Sequence, residues 1–252
     1  MELDKSNGKI AEMFDKIALK YDFLNHLLSF NIDRSWRRKT VRWVIKQASN
    51  NFSGHPNVLD LACGTGDLSG LLYKKGAKVT GADISNGMLS IAKKKNDKLT
   101  VWAERCKGAD KWYANNLPEY KLFGAEHILL PDKSFDAVTI AFGFRNFEDR
   151  GASLKEIFRV LERGGVLAIL EFAYPSNFFA KRIFNLYFKY YLPIVGKVVS
   201  KDKDAYKYLV DSVIAFPKYD ALKEEIADAG FEDVNYRRLT FGIACLYTAH
   251  KR

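Results

Sequence analysis

Between positions 60 and 67 the chain reads Asp60-Leu61-Ala62-Cys63-Gly64-Thr65-Gly66-Asp67, and Asp83 follows 17 residues after Gly66. Gly64 and Gly66 would let a ligand approach the backbone closely, because no Cβ stands in the way. Asp83 closes an apolar run and is placed to accept hydrogen bonds from ribose hydroxyls. Asp60 closes the preceding run and faces the same loop. A carboxylate there would repel a pyrophosphate but suit an ammonium or sulfonium group. A dinucleotide fingerprint also needs a third glycine, and Gly64-Thr65-Gly66-Asp67-Leu68-Ser69 lacks it. A glycine pair alone would mark nothing more than a tight turn. The two acids in register favour a nucleoside-binding site.

Such a loop has to be held by a strand on one side and a helix on the other. Short apolar runs at 57–62, 78–83, 120–125, 135–141 and 166–171 predict buried strands, with helices over 67–75, 87–95 and 151–161 between them. Glycines punctuate the ends: Gly76 after the first helix, Gly164-Gly165 after the third. Strands alternating with helices imply right-handed crossovers and a mostly parallel sheet covered on both faces. A helix over 218–229, stopped by Gly230, precedes strand-like runs at 235–240 and 243–249, which read as an antiparallel hairpin at one edge. The fold class is therefore α/β, a doubly wound Rossmann-like sheet, mostly parallel with an antiparallel C-terminal hairpin. Residues 10–47 look helical and basic, and 96–119 form a polar segment whose periodicity is weak.

The chain has 252 residues, 48% hydrophobic and 28% charged, an ordinary globular balance. One domain over 1–252 is expected, with 1–50 as a helical cap and 172–205 as an aromatic and basic lid or membrane-contacting insertion. The net charge of +10 invites an anionic partner. Cys63, Cys106 and Cys245 form no metal or redox spacing, and a reducing compartment is expected. His26, His55, His127 and His250 show neither metal-ligand spacing nor a catalytic triad, so no metal is expected. No signal peptide or membrane span is expected either.

Val58 to Gly66, followed by Gly81-Ala82-Asp83, resembles the cofactor motif of class I S-adenosylmethionine-dependent methyltransferases. More narrowly, the chain is similar to the C-methyltransferases of ubiquinone and menaquinone biosynthesis. The matching segments are Met13-Phe14-Asp15-Lys16-Ile17, Tyr21-Asp22-Phe23-Leu24-Asn25, Trp36-Arg37-Arg38-Lys39, Phe142-Gly143-Phe144-Arg145-Asn146, Ala205-Tyr206-Lys207-Tyr208-Leu209 and Asp228-Ala229-Gly230-Phe231. The resemblance implies that S-adenosylmethionine is the cofactor and that Thr65 and Asp83 bind it. Gly124 and Ala125 stand where the family has an Asn-Ala pair beside the adenine, so only backbone groups are expected to serve at 124. A serine found in some relatives is Ala141 here, and that contact is not carried over. The implied reaction is C-methylation of a prenylated quinol, demethylmenaquinol first and a ubiquinol precursor as the alternative.

A quinol carbon attacks a sulfonium in line only when an adjacent phenol loses its proton. Arg145 is expected near that oxygen, stabilising the phenolate or positioning a water, since a guanidinium is no base. Asn146 is expected to orient the ring's second polar group, and Tyr21 to close over the site. The bland alternative for Arg145 is a salt bridge at the sheet edge. Residues 174–191 hold eight aromatics (Tyr174, Phe178, Phe179, Phe184, Tyr187, Phe188, Tyr190, Tyr191). A helix over 177–191 would carry one narrow polar stripe, as an interfacial helix does, and segment 176–203 has six Lys/Arg against one acid. The competing reading as core beneath a lid is compatible with it. Peripheral contact with the inner face of the cell membrane, from the cytoplasm, is the expectation; a homodimer is left open. Basic residues are dispersed and no Asn/Asp-Pro-Pro-Tyr tetrapeptide occurs, which argues against nucleic acid as partner. The glycine loop with Asp83 argues against a non-catalytic scaffold.

Overall fold

The computed structural model describes residues 4–105, 111–175, 181–182 and 203–252. The helix expected over 177–191 therefore lies outside the described residues, apart from Lys181 and Arg182. Every expected strand forms where β-branched and aliphatic residues run between turn signals. These are β1 (Asn57–Leu61), β2 (Lys78–Asp83), β3 (Glu119–Leu122), β4 (Phe135–Ala141), β5 (Leu161–Phe172), β6 (Glu232–Leu239) and β7 (Ala244–His250). They pair in the order β3-β2-β1-β4-β5-β7-β6. The first five are parallel, and β7 enters antiparallel between β5 and the edge strand β6.

The helices are α1 (Asn7–Leu28), α2 (Ile32–Asn51), α3 (Asp67–Tyr73), α4 (Asn86–Arg105), α5 (Lys111–Asn115), α6 (Arg150–Val160), α7 (Lys203–Ala215) and α8 (Asp220–Asp228). Successive strand residues point to opposite faces, and the two cores divide accordingly. Val58, Ala137, Val166, Ala168 and Leu170 pack with Val41 and Val44 of α2 and Leu68 and Leu72 of α3. Leu59, Leu61, Val138, Ile140, Leu167 and Ile169 pack on the other side with Leu154 and Ile157 of α6 and Leu222 and Ile226 of α8.

Segment 96–119 differs from expectation. The helix expected to stop at 95 continues to Arg105, burying Leu99 and Ala103 in line with Met88 and Ala92. Only those two residues of the extension are apolar and buried, which explains the weak periodicity. Beyond it, α5 is pinned by aromatic contacts. Trp112 stacks on His55 at 3.8 Å between ring centroids, and the Tyr73 hydroxyl donates to the Tyr113 carbonyl at 2.7 Å. Strand β3 also ends earlier than expected, which frees 123–125 from the ladder.

Strands β1 and β4 pair as far as Asp60 opposite Thr139, close to their ends. Just beyond, Gly143 lies so close to Ala62 that a Cβ on it would stand 2.5 Å from the Ala62 Cβ. Gly143→Ala should therefore force the two strand ends apart. We expect a loss of about 1–3 kcal/mol, as for other overpacking substitutions, read as a lowered urea midpoint.

Candidate active site

After β1 the chain turns away to β2, and after β4 to β5 on the other side, so a crevice opens at the carboxyl ends of these strands. Both strands leave their ladders through a left-handed residue, Ala62 (φ 54°) and Phe142 (φ 65°). Such backbone costs a non-glycine residue roughly 1–2 kcal/mol and is concentrated at sites with work to do. Gly64 (φ 57°) and Gly66 (φ 79°) then carry the chain into α3, in a conformation that glycine adopts freely.

The crevice encloses about 590 Å³, part of it open to solvent. Its floor and walls include Leu61, Ala62, Gly64, Asp83, Ile84, Met88, Phe123, Gly124, Ala125, Phe142, Gly143 and Asn146. Helix α1 roofs it with Asn7, Ile10, Phe14 and Tyr21. The roof is fastened by charge. Asp15 Oδ1 accepts from the Ser85 hydroxyl at 2.5 Å and from the Gly87 amide at 2.8 Å. Asp22 pairs with Lys95 at 2.6 Å and accepts from the Thr65 hydroxyl. Lys95 also reaches Asp67 at 2.6 Å.

Asp83 faces the crevice while each of its oxygens accepts one backbone N–H, Gly64 at 2.8 Å and Ser85 at 2.9 Å. Burial pushes its pKa up, and those two amides oppose the shift. A carboxylate offers about four lone-pair sites, so two amide donors leave room for the vicinal hydroxyls of a ribose. Ile84, Met88 and Phe123 supply apolar walls of the kind a purine needs, with Gly124 and Ala125 beside them. The residues present thus fit a nucleoside with an acceptor-hungry sugar.

Four expected site residues are placed elsewhere. Asp60 is 1% exposed and points into the α3 side of the sheet, not into the crevice. Its oxygens accept from the Ser69 hydroxyl at 2.5 Å and the Thr139 hydroxyl at 3.1 Å, and burial raises its pKa to about 6. Thr65 is turned to Asp22 and Lys95, which donates to its hydroxyl oxygen at 3.0 Å. Gly66 shapes the turn but does not line the space. Arg145 is 5% exposed, and its guanidinium pairs with the wholly buried Glu171 at 2.8 Å and donates to the Phe142 carbonyl. The Arg145 amide donates to the same carboxylate at 3.0 Å. Burial raises the Glu171 pKa, and the Arg145 charge opposes it. Arg145 thus sits behind the wall, as its salt-bridge alternative had it, while the next residue, Asn146, faces inward. Its Oδ1 accepts from the Tyr208 hydroxyl at 3.1 Å.

Asn7 and Glu126 were not singled out in the sequence. The Asn7 amide donates to Glu126 at 3.3 Å and stands 3.6 Å from where a side chain at 124 would begin. A side-chain amide is therefore present beside Gly124, contrary to the expectation of backbone groups alone. Nothing local announces it, because it arrives from a helix 117 positions earlier in the chain. His127 turns to solvent.

This sheet order, with its crevice and acid at the end of β2, defines the fold of class I S-adenosylmethionine-dependent methyltransferases. Solved structures of that shape include magnesium protoporphyrin IX methyltransferase of Synechocystis PCC 6803 with bound SAM. It has a TM-score of 0.63 and 17% identity, covering 100% of this chain and 99% of that one. A possible histamine N-methyltransferase of Thermotoga maritima has a TM-score of 0.60 and 17% identity, covering 96% and 99%. The chain belongs to the ubiE/COQ5 methyltransferase family, whose pattern matches residues 2–251. Among its relatives, the demethylmenaquinone methyltransferase of Bacteroides fragilis is 39% identical over 98% of this chain and 94% of its own. The ubiquinone/menaquinone biosynthesis C-methyltransferase UbiE of Geotalea daltonii is 42% identical over 99% of both.

Two outcomes test the buried charges. A carboxyl whose folded pKa lies above its unfolded value stabilises the protein at low pH and loses that contribution as pH rises. For Asp60 the window runs from the ordinary aspartate value of 3.8 to about 6, with an upper bound of about 3 kcal/mol. The difference in urea stability between the wild type and Asp60→Asn should therefore shift by up to that amount between those pH values and stay flat above. Arg145→Ala leaves Glu171 buried without its counter-ion and should cost about 3–5 kcal/mol, whereas replacing both by Met should restore most of it. A single variant as stable as the wild type would show that the pair carries no such charge.

Proposed function

We propose that the protein transfers the methyl group of S-adenosylmethionine to a ring carbon of a prenylated quinol, with demethylmenaquinol as acceptor. Family membership supports the reaction class. The observation that carries the reading is the crevice itself, where Asp83 and the glycine loop face Asn146 and Tyr21 across one space. The names of the two relatives support the acceptor, and a ubiquinol precursor is the alternative they leave open.

When bound, the cofactor supplies an electrophilic methyl on a sulfonium. Asp83 would accept hydrogen bonds from the ribose hydroxyls, and the Gly64–Gly66 turn would let the nucleoside approach the backbone closely. Gly124, Ala125 and the Asn7 amide would hold the base. Thr65 acts through Asp22 and Lys95, holding α1 down rather than touching the ligand. Asp60 keeps the turn seated on α3 through Ser69. On the acceptor side, Asn146 is oriented by Tyr208 and hydrogen-bonds a ring oxygen. Tyr21 closes over the ring. Arg145, its charge met by Glu171, holds Phe142 and the turn that carries Asn146. Asn146 and Tyr21 would hold the ring with its carbon toward that methyl, and the ring proton would pass to solvent. Positioning supplies most of the rate, since effective molarities in well-oriented sites are large.

The long tail of such an acceptor is insoluble in water, so the protein would meet it at the inner face of the membrane by peripheral contact. No described helix is long and apolar enough to cross a bilayer.

Incubation with S-adenosylmethionine and demethylmenaquinol, followed by mass spectrometry, should show a product heavier by one methyl-for-hydrogen exchange. An unchanged quinol mass would overturn the reading. Asp83→Ala should weaken S-adenosylmethionine binding roughly tenfold to a hundredfold by calorimetry, the loss of a charge-assisted hydrogen bond.

A further inference from the structure

Two side-chain oxygens among the described residues are buried without a hydrogen-bond partner, Asn96 Oδ1 and the Tyr120 hydroxyl. The Asn96 amide is still bonded through its nitrogen, which donates to the Pro118 carbonyl at 2.9 Å. Tyr120 has only the one polar group. Burial pushes its pKa up, Cys63 and Asp60 add to the rise, and the Ser69 hydroxyl opposes it. The hydroxyl therefore keeps its proton at any ordinary pH. A buried donor without an acceptor costs stability, so stability alone would favour phenylalanine at this position.

Tyr120 stands in β3 beside Gly81 of β2. Its ring covers that glycine so closely that a Cβ there would meet a ring carbon at 2.7 Å. The tip of the ring reaches Gly66 of the glycine turn, where a Cβ would stand 2.6 Å from the hydroxyl oxygen. Gly66 is left-handed at φ 79°, so the turn meets Tyr120 with bare backbone. Tyr120 itself does not line the crevice, whereas Gly64 does. At Gly64 a Cβ would meet Tyr21 Cε1 of the roof at 3.8 Å. The turn therefore lies between a tyrosine of the roof and a tyrosine of the sheet, and the second supports it from behind. What the turn carries is the Gly64 amide, which donates to Asp83 Oδ2 at 2.8 Å. A shift of the turn toward β3 would move that bond, and with it the carboxylate offered to the ribose.

We propose that Tyr120 is a positioning residue for the cofactor, whose hydroxyl props the glycine turn at the height that Asp83 needs. The proposal rests on the nucleoside reading of the crevice. The tip of the side chain does this rather than the ring, because the oxygen is the atom nearest to Gly66. A buried hydroxyl that satisfies no bond calls for an explanation other than stability, and its place against the turn supplies one. It lowers stability and sets a geometry to which binding is sensitive, since small misplacements in such sites are costly.

The test is Tyr120→Phe, which deletes the oxygen and keeps the ring. The variant is expected to be more stable, with a higher urea midpoint and a folded-to-unfolded ratio raised about fivefold or more. Its affinity for S-adenosylmethionine should nevertheless fall, by about three- to tenfold in calorimetry. KM for the cofactor should rise by more than kcat falls. Amide exchange over residues 63–67 should quicken although the protein as a whole is more stable. Tyr120→Leu, which removes the ring as well, should weaken binding further and lower the midpoint. Unchanged affinity in Tyr120→Phe overturns the proposal, for the ring alone would then suffice. A lowered midpoint in that variant also overturns it, by showing that the hydroxyl is bonded. A wild type that binds no S-adenosylmethionine, with the faster exchange still present in Tyr120→Phe, would instead overturn the nucleoside reading and leave Tyr120 as the support of the turn.

Discussion

The rest of the structure depends on the contact between Ala62 and Gly143. Strands β1 and β4 pair in parallel, and each must then release its chain toward a different half of the sheet. Side chains on both releasing residues would wedge the strands apart, so one is glycine and the other the smallest residue with a Cβ. The two left-handed residues, Ala62 and Phe142, turn the chain sharply enough that no ladder group blocks the opening. Two walls of the crevice hang from these exits: the glycine turn on one side, and Phe142 and Asn146 on the other.

Buried charge sits immediately behind both exits, and it has the same job in each. Asp60, held by Ser69 and Thr139, ties β1 to α3 and β4. Glu171, held by Arg145, ties β5 to the turn after β4. A buried ion pair is weak evidence for stability, because desolvation of both charges offsets most of their attraction. What such pairs do supply is geometry: a carboxylate bonded from fixed directions leaves its neighbours few alternatives. Asn146 faces the crevice because Arg145 is anchored facing away.

The sheet, its order of elements and the crevice were legible from the alternation of apolar runs with helical patterns. Gly64 and Asp83 were legible in the glycine loop and the strand end after it, and Gly124, Ala125, Tyr21 and Asn146 only through the family resemblance; all six line one space. Arg145 lies in the turn after β4 and is drawn away from the crevice by Glu171, a partner 26 positions on; Asp60 turns away for a different reason. Sequence gives the residue type and the end of the strand it occupies, but strand alternation decides the face. Asp60 shares its face with Val58, toward α3. The length of α4 was missed because its last two turns bury only Leu99 and Ala103. Asn7 could not be found at all, since its place depends on how α1 crosses the finished sheet.

That crossing explains why α1 is held by acids rather than by a broad apolar face. Asp15 and Asp22 grip the start of α4, Lys95 and the Thr65 hydroxyl, all of them polar groups at the rim. Hydrogen bonds of this kind can be exchanged for water at a net cost of only about 0.5–1.5 kcal/mol each. An apolar lid would lose far more on opening, because every exposed side chain costs about 25 cal/mol per Å². A roof fastened at its rim by a few polar bonds, with Ile10, Phe14 and Tyr21 beneath it, can lift to admit a nucleoside and still exclude water when seated.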